Sequence, residues 1–154
     1  MNELQRLIMF LKIQYHNMGT LHRHLSGDAG WFENHEELDE WKVCIAKQLD
    51  EICEEAQALG YEEPGLKDAL LAFGSEEVTP EFRDLKDTFR IAQGIMRSTA
   101  GMMQAAEKDV PASVVGKLQE MEYKWNKLAD YKLTRVLGEH GRGRTEALQI
   151  EDDD

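Results

Sequence analysis

One apolar stripe along residues 34–59 restricts the possible folds of this chain more than any other feature. Placed at about 100° per residue on a helical wheel, the apolar side chains of this segment fall within an arc of about 80°. They are Leu38, Trp41, Ile45, Leu49, Ile52, Ala56 and Leu59. Asn34 is a suitable N-cap and Gly60 a suitable C-cap, so the segment predicts one long helix. Such a helix needs other helices to cover its apolar stripe.

Three further segments have helical patterns. Residues 3–25 carry a heptad seam, in which apolar positions recur every seven residues. The seam consists of Leu4, Leu11, Met18 and Leu25, with Ile8, Tyr15 and His22 interleaved. Thr79 followed by Pro80 predicts the start of a helix that continues to about residue 107. Pro111 opens a last helix, which is expected to end near Gly138.

A long connection separates the second helix from the third. Residues 61–78 hold a proline and two glycines around a short apolar stretch, 66–73, which predicts a crossover carrying a small helix. The sequence shows no β pattern. It therefore predicts an all-α fold over residues 1–138, a ferritin-like four-helix bundle with the crossover between helices two and three. Residues 139–154 are polar and end in acidic residues, and they are predicted to be disordered.

The charge of the chain limits its partners. The formal net charge is −12, and residues 26–63 hold twelve acidic residues against Lys42 and Lys47. Such a surface attracts cations and repels phosphates, so direct DNA binding is not expected. No apolar run reaches the ~20 residues of a membrane span, and the first residues lack the pattern of a secretory signal. Cys44 and Cys53 would lie on opposite sides of one helix, which favours reduced thiols and a cytoplasmic location.

The second helix also has a polar face, which points away from its apolar stripe. His35, Asp39, Asp50 and Glu54 fall between about 0° and 100° on the wheel, with His35 at zero, roughly 130° from the stripe. They form two i,i+4 pairs, and each pair is close enough to share one cation. The centres of the pairs are about 22 Å apart along the helix, so one metal centre cannot use both pairs of one chain.

A second copy of this helix, packed antiparallel across a two-fold axis, would bring the two kinds of pair together. His35 and Asp39 of one chain would then lie opposite Asp50 and Glu54 of the other, giving two equivalent sites. The helices would cross near residues 44 and 45. Val43 and Ala46, which lie there on the polar face, are small enough to permit a close approach.

The run from residue 35 to residue 60 resembles the ferroxidase signature of the Dps family, the DNA-protecting ferritins of starved bacteria. In that family a histidine is followed by His-x3-Asp, then by Asp-x3-Glu, usually with a final Leu-Gly. The matching segments are His35-Glu36-Glu37-Leu38-Asp39, Asp50-Glu51-Ile52-Cys53-Glu54 and Ala58-Leu59-Gly60, with Gly27 and Phe32 upstream. The resemblance is specific over about residues 21–60, and the spacing from His35 to Glu54 matches without a gap.

The resemblance implies a ferroxidase site shared between two subunits. His35 and Asp39 would bind iron together with an upstream histidine, His24, of the same subunit, while Asp50 and Glu54 would come from the partner. Members of the family oxidise Fe(II), preferentially with hydrogen peroxide and otherwise with oxygen, and store the Fe(III) product in a hollow dodecamer. The expected partners are therefore iron, the oxidant and further copies of this chain, as a two-fold dimer or a dodecameric cage. Another divalent metal could occupy the same ligands.

The first histidine departs from the family's spacing. The family leaves eleven residues between its two histidines, whereas His24 leaves ten and His22 leaves twelve, with Arg23 at the expected position. His24 is favoured because Phe32 then keeps the family's distance from it. His22 lies on the heptad seam and is also explained as a core histidine, so both remain candidates.

Other departures leave alternative functions open. The tryptophan that usually follows the first histidine is Leu25 here, although Trp31 is a candidate for the same space, and the lysine-rich N-terminal tail that some members use to hold DNA is absent. The main alternative is a ferritin-like binding or scaffold protein without catalysis, with a degenerate metal site. A DNA-compacting protein is disfavoured by the charge. A di-iron enzyme with its metals inside the bundle would need Glu-x2-His motifs, which the sequence lacks.

Overall fold

The computed structural model describes residues 1–27 and 29–138, so the predicted tail, residues 139–154, lies outside the described residues. The described chain forms α-helices and short helical turns. The α-helices are α1 (Glu3–Arg23), α2 (Trp31–Ala58), α3 (Leu66–Phe73), α4 (Leu85–Ala106), α5 (Ala112–Lys127) and α6 (Thr134–Val136). A π-helical turn, Leu128–Leu133, joins α5 to α6 without a break. None of the helices in the described ranges has the length and apolarity that crossing a membrane demands.

The predicted fold class is confirmed. The described residues form an all-α bundle of four long helical segments, and the crossover between the second and third segments carries the short helix α3 at the predicted position, 66–73. The predicted stripe of α2 faces the core, where Leu38, Trp41 and Ile45 are buried. They pack with buried residues of the other long helices, such as Leu11 and Phe89. Removing these apolar side chains from water is the main force that holds the bundle together.

The first helix packs on two sides. The predicted seam contacts α2 and α4, and Leu4, Ile8, Leu11 and Met18 are all buried there. Tyr15 departs from the predicted seam because it is 42% exposed. On another side of α1, Met9 and Ile13 pack against Ala69 of α3. The short helix therefore closes one flank of α1.

Two predicted helix starts are wrong. The second helix begins at Trp31, not after Asn34, because Gly30 is its N-cap with a φ of 86° and the Asn34 side chain donates back to the Gly30 carbonyl. The next long helix begins at Leu85, not at Pro80. Here the chain before the helix is held extended, since Arg83 N–H donates to the His24 carbonyl over 3.1 Å, and the Arg83 carbonyl accepts from Ser26 over 2.8 Å.

The predicted helix ends agree with the structure. Helix α2 ends at Ala58 and is followed by Gly60, whose φ of 85° is a left-handed conformation that favours glycine. Gly138, with a φ of 74°, ends the last helical segment in the same way. The π-helical turn before it was not predicted, and no simple sequence pattern marks such a turn.

Candidate metal centre

Two histidines face each other where the end of α1 meets the start of α2. His22 Nδ1 lies 2.9 Å from the backbone oxygen of His35, and His35 Nδ1 lies 3.0 Å from the backbone oxygen of His22. A carbonyl oxygen can only accept, so each Nδ1 must carry the proton and donate. When the imidazole is neutral, this bond fixes the tautomer in which Nε2 carries the lone pair. This is the arrangement of metal-binding histidines, in which the second nitrogen donates to a carbonyl or carboxylate.

Aromatic stacking fixes the orientation of these rings. The His22 and His35 rings are stacked, with centroids 3.9 Å apart and planes 22° apart. The indole ring of Trp31 stacks on the His35 ring, with centroids 4.4 Å apart. Its Nε1 donates to the Leu25 carbonyl over 3.2 Å. The imidazoles therefore cannot rotate without breaking several contacts.

One carboxylate lies beside this histidine pair. Asp39 Oδ1 is 3.9 Å from His22 Nε2, one helical turn after His35. The same oxygen is 3.8 Å from Lys42 Nζ, and that ammonium also lies 5.8 Å from the centroid of the Tyr15 ring. The group formed by His22, His35 and Asp39, named the His–Asp group below, therefore has one cation close to its carboxylate already.

The structure places His24 away from this group. His24 is the C-cap residue of α1, its Nδ1 lies 2.9 Å from the Thr20 carbonyl, and its ring contacts Phe82 at a centroid distance of 5.4 Å. The preference for His24 over His22 thus does not match the geometry. The physical reason is helical phase, since His22 and His24 are two residues and about 200° apart around α1.

Asp50 and Glu54 lie further along α2, and both are exposed. The structure of one chain does not bring them to the His–Asp group. Within residues 1–27 and 29–138, no three His, Cys, Asp or Glu side chains are arranged to hold a metal ion. In one chain, both carboxylates thus face solvent.

The buried side of α2 between Asp50 and Glu54 is held by hydrogen bonds. Cys53, between Asp50 and Glu54, is buried, and burial together with a hydrogen bond to Glu63 raises its pKa to about 12. The Glu63 carboxylate accepts from Lys12 Nζ over 2.8 Å, and this bond, with that from Cys53, lowers the pKa of Glu63. These contacts fix the turn of α2 that carries the two exposed carboxylates.

Sequence reasoning missed two features of the site. The first is the role of His22. Its position on the heptad seam places it on the side of α1 that faces α2, and this could have indicated that its ring lies at the α1–α2 contact. No signal indicated that Lys42 lies beside Asp39, because that contact depends on the side-chain conformation. Trp31 was a candidate for the space of the tryptophan that usually follows the first histidine, and in the structure it stacks on His35 while its Nε1 donates to the Leu25 carbonyl.

Comparison with known proteins adds evidence on the fold. No family model and no curated protein matches the sequence. The structure is similar to the crystal structure of antigen TpF1 from Treponema pallidum, with a TM-score of 0.80, 19% sequence identity and 88% of each chain covered. At this identity the likeness establishes the helical-bundle fold alone. The chain and that antigen thus share an architecture over nearly their whole described lengths.

Proposed function

We propose that this protein is an iron-binding ferroxidase and iron-storage protein of the Dps type, with a ferritin-like bundle as its subunit. The observation that supports this most is the reciprocal pair of Nδ1 hydrogen bonds, which leaves Nε2 of both His22 and His35 free. Asp39 Oδ1 lies 3.9 Å from the first of these nitrogens. Mixed imidazole and carboxylate ligands suit Fe(II) and leave coordination positions open to an oxidant.

The other ligands are proposed to come from a second copy of the chain. Asp50 and Glu54 are exposed on the face of α2 that carries His35, about 22 Å further along the helix. Val43 lies between the two ends and is 44% exposed. Beside this face, Leu66 of α3 and Lys42 of α2 line one groove, and α3 exposes further leucines. The groove itself is mainly basic, but the exposed leucines of α3, Leu66, Leu70 and Leu71, add apolar surface beside this face and favour a two-fold contact with a second α2.

The reaction consumes Fe(II) as a substrate. Each Fe(II) gives up one electron, and hydrogen peroxide accepts two electrons as its O–O bond breaks to yield water or hydroxide. The histidine nitrogens and carboxylates hold the iron and neutralise its rising charge. A cage of such dimers would then store the Fe(III) product. The free thiols Cys44 and Cys53 suit a reduced, cytoplasmic setting for this function.

Peroxide-driven oxidation of Fe(II), followed by the absorbance of Fe(III), tests the proposal. The variant Asp50→Ala/Glu54→Ala should lose at least about 100-fold of the rate, because metal ligands are removed. The matched control is Glu51→Ala/Glu55→Ala, which removes the same charge from the same turns of α2 but from another face. Equal rates in the two double variants would refute the shared site. Light scattering on the same samples separates a dimer from a dodecamer.

A second candidate function is a ferritin-like scaffold protein that does not oxidise iron. The observation that favours it is Lys42, whose ammonium lies 3.8 Å from Asp39 Oδ1 and opposes a metal cation there. If Lys42 only weakens metal binding at a working site, Lys42→Met should raise the affinity for Co(II) about tenfold. Binding is measured by the quenching of Trp31 fluorescence, and Trp31→Phe is the control. If neither the native chain nor Lys42→Met binds Co(II), the scaffold function is favoured.

A further inference from the structure

A basic and aromatic face lies on the C-terminal half of α5 and on the π-helical turn that follows. Its members, called the Tyr–Lys face below, are Tyr123, Lys124, Lys127, Leu128, Tyr131 and Lys132. They line an open groove with a volume of about 510 Å³. Tyr123 and Tyr131 are 66% and 57% exposed. A π-helical turn is itself frequent at functional positions.

The charges on this face are not all balanced locally. Lys132 is paired with Glu37, and the neighbouring Asp130 accepts from Arg97 over 3.0 Å. In the described part of the chain, neither Lys124 nor Lys127 has a carboxylate within 4.0 Å. The ammonium of Lys127 instead lies 5.9 Å from the centroid of the Tyr123 ring. The face therefore combines apolar rings with two unpaired cations, and this combination suits an acidic segment that also carries apolar side chains.

We propose that the Tyr–Lys face binds the acidic C-terminal segment of the same chain, residues 146–154. That segment holds Leu148 and Ile150, followed by Glu151-Asp152-Asp153-Asp154. The two aliphatic side chains match the tyrosine rings and Leu128. The four carboxylates match Lys124 and Lys127.

The connection is long enough for binding within one chain. Gly138, with a φ of 74°, ends the last helical segment. From Gly138 back to Tyr123 is about 22 Å at 1.5 Å per helical residue. The eight residues from 138 to 146 span up to about 26 Å when extended. A chain that runs back along the helix would bring its last carboxylates towards Lys124, at the far end of the face.

Zero-length carbodiimide cross-linking of the full chain tests the proposal. The reagent joins a lysine amine to a carboxylate only when the two are in contact, and mass spectrometry identifies the joined peptides. We expect cross-links from Lys124 and Lys127 to residues 151–154. The Lys132–Glu37 ion pair serves as an internal positive control, because it should be cross-linked in every sample.

Chains of natural and heavy isotope composition, unfolded together and refolded as a mixture, distinguish binding within a chain from binding between chains. Cross-links that are purely light or purely heavy support the proposal. Cross-links of mixed composition would overturn it, because the occupant would then be the segment of a second copy. Finding the control cross-link without any link to residues 151–154 would overturn it as well.

The accessibility of the lysines gives an independent measurement. In the native chain, Lys124 and Lys127 should react with an amine-labelling reagent about fivefold more slowly than exposed Lys86, because the attached segment has a high effective concentration. Glu151→Gln/Asp152→Asn/Asp153→Asn/Asp154→Asn should remove the difference, and Leu148→Ser/Ile150→Ser should reduce it. Equal labelling of the three lysines in the native chain would contradict the proposal.

Discussion

The two ends of α2 carry similar kinds of residue in different surroundings. At the N-terminal end, His35 is fixed by α1 through reciprocal hydrogen bonds and by the stacked rings of His22 and Trp31. At the C-terminal end, Asp50 and Glu54 are exposed, and no described contact orients their carboxylates. Contacts within the chain orient the first end, whereas the carboxylates of the second end are exposed to solvent.

This difference indicates how a site could be divided between two copies of one chain. The imidazoles need a fixed tautomer and orientation, which the α1–α2 contact supplies within one subunit. Carboxylates bind metal in several geometries and need less preparation, so they can be contributed by a neighbour on assembly. The predictions below test the difference, from the largest expected effect to the smallest.

The buried thiol of Cys53, on the inner side of the C-terminal end of α2, should react very slowly with disulfide reagents. Raising the pKa of Cys53 from 9.0 to about 12 lowers its thiolate fraction about 1,000-fold at neutral pH, and only the thiolate reacts. Cys53 should therefore react with a disulfide reagent far more slowly than Cys44, as located by mass spectrometry. Glu63→Gln should accelerate the reaction of Cys53. If Cys44 and Cys53 of the folded chain react at one rate, this end of α2 is not held as described.

At the N-terminal end, the two candidate histidines should behave differently. His22→Ala should lower the rate of Fe(II) oxidation about 100-fold, because it removes a ligand and releases the His35 ring. His24→Ala is the matched control and should leave the rate nearly unchanged, since the His24 ring contacts Phe82 instead. A larger loss in His24→Ala than in His22→Ala would show that His24 is the ligand, as the spacing to Phe32 suggested.

A carboxylate pair elsewhere in the bundle provides a contrast with Asp50 and Glu54. Burial raises the pKa of Glu122, and the nearby carboxylate of Glu107 raises it further. Since the folded pKa lies above the unfolded value, the stability from protonated Glu122 is present below about pH 4.5 and is lost as the pH rises through the folded pKa. Glu122→Gln should thus raise the melting temperature by about 2 °C at pH 7 and leave it unchanged at pH 4. A stabilisation that is equal at both pH values would show that the proton is not the cause.

Much of the fold was predictable because it follows from helical periodicity. The stripe of α2, the seam of α1 and the short helix at 66–73 all depend on spacing that the sequence shows directly. The start of α4 was not predictable, because backbone bonds between Arg83 and the segment after α1 hold the chain extended up to Asp84. The start of α2 was misplaced because Gly30, and not Asn34, is its N-cap. The bonds of Arg83 join residues that are far apart in sequence, and no local pattern predicts them.

The candidate site was predictable only in part. The phase of His35, Asp39, Asp50 and Glu54 on one helix follows from periodicity. The choice between His22 and His24 depended on where α1 ends and which side faces α2. The position of Lys42 beside Asp39 needed atomic coordinates. The oligomer itself stays a prediction.

The most direct test of the divided site mixes two inactive variants. Unfolding and refolding His35→Ala together with Asp50→Ala/Glu54→Ala should produce mixed dimers, in which one of the two sites has every ligand native. Random pairing would then restore about one quarter of the native Fe(II) oxidation rate, although each variant alone is inactive. If the mixture stays as inactive as its components while light scattering shows that dimers form, the ligands do not come from two chains.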